Sequence, residues 1–113
     1  MAKSNKPIFW SLFAAGGTLA ALFAPVLVSL FLLVAIGHAP DLLSYTNLHA
    51  LAANWIGKAF LFGVITLFLW HAAHRLRVTL HDFGMRQDRS IAVVVYFVAA
   101  AGMALSVLYL WRI

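Results

Sequence analysis

FWSLFAAGGTLAALFAPVLVSLFLLVAI, residues 9–36, is an apolar run without a single charged side chain or histidine. A helix rising ~1.5 Å per residue needs about 20 such residues to cross a hydrocarbon core ~30 Å thick. Phe9–Ile36 exceeds that length. Two more runs qualify, roughly Trp55–Ala73 and Ile91–Trp111, and the three make up most of the 113 residues. Every backbone N–H and C=O at membrane depth has to be paired internally, so the runs are helices. A closed barrel is disfavoured, because the period-2 alternation of ~10-residue strands is missing. The expected fold is all-α integral membrane: one membrane domain over residues 1–113, with three transmembrane helices at about 9–36, 55–80 and 91–111.

Composition agrees. Hydrophobic residues are 65% of the chain and charged residues 10%, more apolar surface than a soluble domain of this length can hide. The absence of cysteine excludes disulfides, thiolate chemistry and cysteine-held iron–sulfur clusters within the chain. A net charge of +5 could suggest nucleic acid, but three spans leave almost no soluble surface for it, and no nucleic-acid partner is expected. The basic residues report orientation instead. Lys3 and Lys6 precede the first span, and Arg75, Arg77, Arg86 and Arg89 lie at or after the end of the second. The connection Gly37–Asn54 holds no Lys or Arg, the C-terminal end only Arg112, and Lys58 can snorkel from the start of span two. By the positive-inside rule the N-terminus and second loop are cytoplasmic and the C-terminus periplasmic. Lys3 and Lys6 before an apolar run also suggest a signal peptide, but the run far outlasts the usual 7–15 residues of a signal core. It reads as an uncleaved first span.

Gly37-His38-Ala39-Pro40-Asp41 breaks the first helix. Leu42–Asn54, interrupted by Ser44, Thr46, Asn47 and His49, reads as an interfacial segment or an early extension of span two. In the second loop Gly84 is a stop signal and Ser90 a candidate N-cap. Pro25 is expected to kink span one. Gly16, Ala20 and Ala24 put small residues on one face of that span, and Ala99–Ser106 does the same in span three; small faces let helices approach closely in lipid.

Polar chemistry gathers at one depth. Trp10, Phe13 and Gly17 follow i, i+3, i+7 near the start of span one, while His71, His74, Arg75 and Val78 follow i, i+3, i+4, i+7 near the end of span two. An indole, imidazoles and a guanidinium converging near the inner interface suit a ring with hydrogen-bonding oxygens and a greasy tail, a quinone. Histidine can take up a proton, arginine can donate hydrogen bonds to a charged oxygen, and tryptophan can wall a pocket and donate one bond. The plainer reading is also open: Trp10, Trp55, Trp70 and Trp111 near span ends are what interfacial anchoring alone produces, and Arg75 can be an orientation signal. Haem is disfavoured, because spans one and three lack histidine. A proton-coupled transporter is disfavoured too, since Asp41, Asp82 and Asp88 are the only acidic residues and all sit in loops.

Pro7-Ile8-Phe9-Trp10-Ser11-Leu12-Phe13-Ala14-Ala15-Gly16-Gly17, followed by Ala24-Pro25-Val26, resembles the opening of the fumarate reductase D-subunit family. The likeness continues through Leu43-Ser44-Tyr45, Ile56-Gly57-Lys58, Leu69-Trp70, His74-Arg75 and His81-Asp82, and weakens in span three. The resemblance implies a multi-pass anchor of the bacterial inner membrane that is not catalytic by itself. Its implied partners are a second membrane anchor (the C-subunit), an iron–sulfur subunit and a flavoprotein subunit, as well as the lipid bilayer. FAD and iron–sulfur clusters would belong to those partners. The anchors would hold menaquinol (menaquinone when oxidised) near the cytoplasmic side for anaerobic fumarate respiration. The quinol pocket implied here comprises Trp10, Phe13, Ala14, His74, Arg75 and Val78, with no haem and no metal. Ala14 stands where the family has Gly, and Val78 where it has a histidine; Arg77, one position earlier, points about 100° away on a helix. The alternatives are a haem-bearing succinate dehydrogenase anchor and a small transporter or structural membrane protein.

Overall fold

Helix ends are set by capping chemistry that can be followed residue by residue. The computed structural model describes residues 4–113; Lys3, one of the N-terminal basic residues, lies outside the described residues. Among them the chain is all-α: α1 (Lys6–Ala35), a 3-10 turn (Asp41–Leu43), α2 (Tyr45–Ala53), α3 (Trp55–Asp82) and α4 (Asp88–Arg112). The helices α1, α3 and α4 are long and apolar enough to cross a membrane. The shortest of them, α4, has 25 residues and rises roughly 38 Å, beyond the ~30 Å core.

Two glycines stop two helices in the same way. Gly37 and Gly84 have φ of 84° and 89°, a region costly for other residues. Behind α1, Gly37 N–H donates to the Val34 carbonyl (3.0 Å) and His38 N–H to that of Leu33 (2.8 Å). Behind α3, Gly84 N–H donates to His81 (3.0 Å) and Met85 N–H to Leu80 (3.2 Å). This pair of bonds is the Schellman motif, which satisfies carbonyls the helix leaves orphaned. Ser90, the expected N-cap, is instead the third residue of α4, which starts at Asp88 behind Gln87. The Asp88 carboxylate holds that extra turn, being bound to Arg77 and placed at the positive end of the helix. Through Pro25, α1 remains helical, and the Ser29 hydroxyl donates to the Pro25 carbonyl (2.8 Å).

Leu42–Asn54 forms its own helix. Ser44 caps α2 by accepting from Asn47 N–H (3.4 Å). Asn54 is extended (φ −70°, ψ 139°) and caps α3 by accepting from Ile56 N–H (2.9 Å). One residue therefore ends one helix and opens the next. The segment does not extend span two because Asn54 leaves the helical region. A Cβ added to Gly57 would collide with the Leu51 carbonyl, so α2 turns closely over the start of α3.

The central helix is α3, with α1 and α4 packed antiparallel to it on either side. Gly16 is buried, and a Cβ there would collide with the Leu67 carbonyl and stand 2.8 Å from the His71 Cβ. Ala24 is exposed, so the small-residue face of α1 ends before it. Phe23 takes over, edge-on to Phe60 (6.4 Å) and Phe68 (6.5 Å). Along α4, Ile91, Val95 and Ala99 recur every fourth residue and bury against Ala73 of α3. Antiparallel packing brings the Lys6 end of α1, the Asp82 end of α3 and the Asp88 end of α4 together.

Candidate functional site

At that shared end the three long helices line an open cavity of about 750 Å³, with Phe9 and Trp10 at its exposed edge. The start of α1 supplies Lys6, Phe9, Trp10 and Phe13; α3 supplies Trp70, His74 and Arg77; α4 supplies Tyr96. Aromatic contacts build the walls. Phe9 stacks on Trp70 (5.8 Å, 16°), Trp10 tilts against Phe13 (5.1 Å), and the edge-on pair Trp10–His74 spans 6.3 Å. Phe13 lies between two imidazoles, stacked on His71 (4.5 Å, 14°) and edge-on to His74 (4.6 Å).

Each histidine has one ring nitrogen engaged. His71 Nδ1–H donates to the Phe13 carbonyl (3.0 Å); a carbonyl can only accept, which fixes the tautomer. Gly17 makes this contact possible, because a Cβ there would stand 2.8 Å from the His71 Cε1. His74 Nδ1 and the Tyr96 hydroxyl are hydrogen-bonded at 3.1 Å. Below them Arg77 grips Asp88 through two bonds, Nε to Oδ1 (2.8 Å) and Nη2 to Oδ2 (2.5 Å). The guanidinium carbon lies 6.0 Å from the centre of the Tyr96 ring, within the range of a cation–π contact.

The six residues singled out from the sequence divide evenly. Trp10, Phe13 and His74 line the cavity. Ala14, Arg75 and Val78 are exposed and lie outside its lining; Val78 lines an adjoining smaller cleft that shares His74 and Arg77 with the cavity and continues to His81, Asp82 and Asp88. The arginine that reaches the cavity is Arg77. Trp70, His74 and Arg77 follow i, i+4, i+7, a helix face turned by roughly 80–90° from the one that contains Arg75, with His74 shared between them. Tyr96 escapes sequence reasoning as well, because α4 offers no motif around it. Its one signal is carrying the single polar group, a phenol, in an otherwise apolar first half of span three.

The lining is mostly aromatic, with an imidazole and a guanidinium, and the volume falls within the ~300–1,000 Å³ usual for ligand sites. The sequence profile of the fumarate reductase D-subunit matches residues 1–111. The chain belongs to the fumarate reductase D-subunit family. It is 34% identical over 113 residues to the fumarate reductase D-subunit of Aliivibrio fischeri (strain MJ11), covering 98% of this chain and 94% of that one. The D-subunit of Mycobacterium bovis (strain BCG / Pasteur 1173P2) is 43% identical over 108 residues, covering 90% and 83%. That of Vibrio cholerae serotype O1 (strain M66-2) is 33% identical over 113 residues, covering 98% and 87%. As a member of the family this chain is a membrane anchor of the fumarate reductase complex, not itself catalytic. It works beside the other subunits as a multi-pass protein of the bacterial inner membrane.

Proposed function

We propose that the cavity between α1, α3 and α4 is this chain's share of a menaquinol site, through which electrons enter the complex. The chain as a whole is then one membrane unit that attaches the flavoprotein and iron–sulfur subunits, with a second anchor, the C-subunit, beside it. The observation that carries this reading is Trp10 and His74, on different helices, facing one aromatic cavity with their rings 6.3 Å apart. The residues fit the ligand class. Phe9, Phe13 and Trp70 offer flat apolar surface to a ring and its tail, while His74, Arg77 and the Trp10 indole offer polar groups to its oxygens. In this proposal the exposed Ala14, Arg75 and Val78 form the side of the pocket that the partner subunits close. Lys6, Arg75, Arg77, Arg86 and Arg89 all belong to the cavity end, so the positive-inside rule puts that end in the cytoplasm and the C-terminus in the periplasm.

A bound quinol would supply two electrons and two protons. His74 would accept a proton and Arg77 would stabilise negative charge on oxygen; Trp10 and Phe13 would position the ring and exclude water. Trp10→Ala in the assembled complex should lower quinol-driven fumarate reduction about tenfold or more, or ~1.4 kcal/mol of lost stabilisation. Reduction driven by an artificial dye that feeds the soluble subunits directly should survive. Equal loss of both activities would mean an assembly role and sink the proposal.

A further inference from the structure

We infer that Tyr96 is a positioning residue for His74, and that the Arg77–Asp88 pair holds Tyr96 in place. The inference rests on the quinol reading above and deepens it by assigning a role to α4. The Tyr96 hydroxyl engages Nδ1 of His74 at 3.1 Å, so Nε2 is the ring nitrogen left for a ligand; among the described residues it has no hydrogen-bond partner. Tyr96 is itself confined. Its ring tilts against Trp70 at 5.3 Å on one side, and the Arg77 guanidinium lies 6.0 Å from the ring centre. Arg77 cannot swing away, because Asp88 binds two of its nitrogens in a forked pair. Asp88 opens α4 and Tyr96 lies two turns further along the same helix. The first turns of α4 therefore set the imidazole of α3 from behind.

The proposed role requires one tautomer of the two that a tyrosine hydroxyl can bond. An imidazole that takes a proton from a hydroxyl must present a lone pair, so Nε2 has to be bare and Nδ1 must carry the hydrogen. The Tyr96 oxygen then accepts from Nδ1–H. When Nε2 accepts a proton, the resulting imidazolium keeps its bond to Tyr96, and the ring need not reorient. Without the hydroxyl the ring is free to turn or to place its hydrogen on Nε2, where it no longer accepts.

Tyr96→Phe in the purified complex tests this, since it keeps the ring and removes only the hydroxyl. Two readouts apply: binding of 2,3-dimethyl-1,4-naphthoquinone, and the ¹⁵N signals of the His74 ring in histidine-labelled protein. The wild type should show a protonated Nδ1 and a bare Nε2. The variant should shift those signals and bind the naphthoquinone about fivefold more weakly, the worth of one ordinary hydrogen bond. Unchanged binding would overturn the assignment, and so would weaker binding with unmoved His74 signals. If Tyr96→Phe fails to assemble, Asp88→Asn takes its place, with the same readouts interpreted in the same way. Trp10→Ala separates the two proposals. If it too leaves naphthoquinone binding intact, the quinol reading falls along with this one; if it weakens binding while Tyr96→Phe does not, only the role of Tyr96 falls.

Discussion

The two seams that flank α3 are built from different materials. Against α1 the contact is a notch: Gly16 brings backbone onto the Leu67 backbone, Gly17 makes room for the His71 ring, and a His71 bond to the Phe13 carbonyl crosses the gap. Against α4 the contact is a row of aliphatic residues, Ile91, Val95 and Ala99, fastened near one end by Arg77 and Asp88. Lipid tails are as apolar as leucine, so neither seam gains from excluding water. Close approach and polar bonds have to hold the helices together. Both seams place their polar bond at the cavity end, which is therefore the most firmly fastened part of the molecule.

The contrast predicts a ranking of damage. Gly16→Leu should be the most severe, because its side chain meets the Leu67 backbone, which cannot yield. A cost of about 3 kcal/mol or more is expected, at the top of the overpacking range. The measurement is the amount of flavin and iron retained by purified membranes, and near-normal retention would show that the notch is dispensable. Ile91→Ala comes next. A buried Ile→Ala change in a soluble core costs about 2–5 kcal/mol; in lipid only the packing share is lost, leaving about 1–2. Thermal unfolding of the complex in detergent checks this, and a soluble-core loss would contradict the account of the α4 seam. His71→Phe should be mildest, at about 1 kcal/mol, because the ring can still stack on Phe13 while the single cross-helix bond disappears. A larger drop in the same melting experiment would mean that the bond, rather than the glycine notch, holds α1.

Much of this architecture is legible in the residues. Uninterrupted apolarity in 9–36 and 91–111 yields the spans, and Gly37 and Gly84 mark where helices stop. The pairing of Trp10 and Phe13 with His74 follows from placing two antiparallel helices at a common depth. What the pattern could not resolve is the rotation of α3. A helix with neighbours on two sides has no single apolar face, so i, i+3, i+4 spacing permits the Arg75 face and the Arg77 face equally. The position of α4 brings Arg77 to the cavity, where Asp88 binds it, and leaves Arg75 on the exposed side. Ser90 misleads for a related reason: a capping residue is a local preference, and the Arg77–Asp88 pair overrides it by adding a turn in front.

The hydroxyls of α1 have a consequence for how the protein is made. Ser11, Thr18 and Ser29 each donate to the carbonyl four residues back, those of Pro7, Ala14 and Pro25. A nascent first segment released into the bilayer therefore has its hydroxyl donors satisfied by its own backbone and can wait there without a companion. The later α3 cannot, since His71 and His74 find their partners only on its neighbours. Biogenesis can thus proceed with a self-contained segment inserted first and a dependent one arriving to a dock already in place.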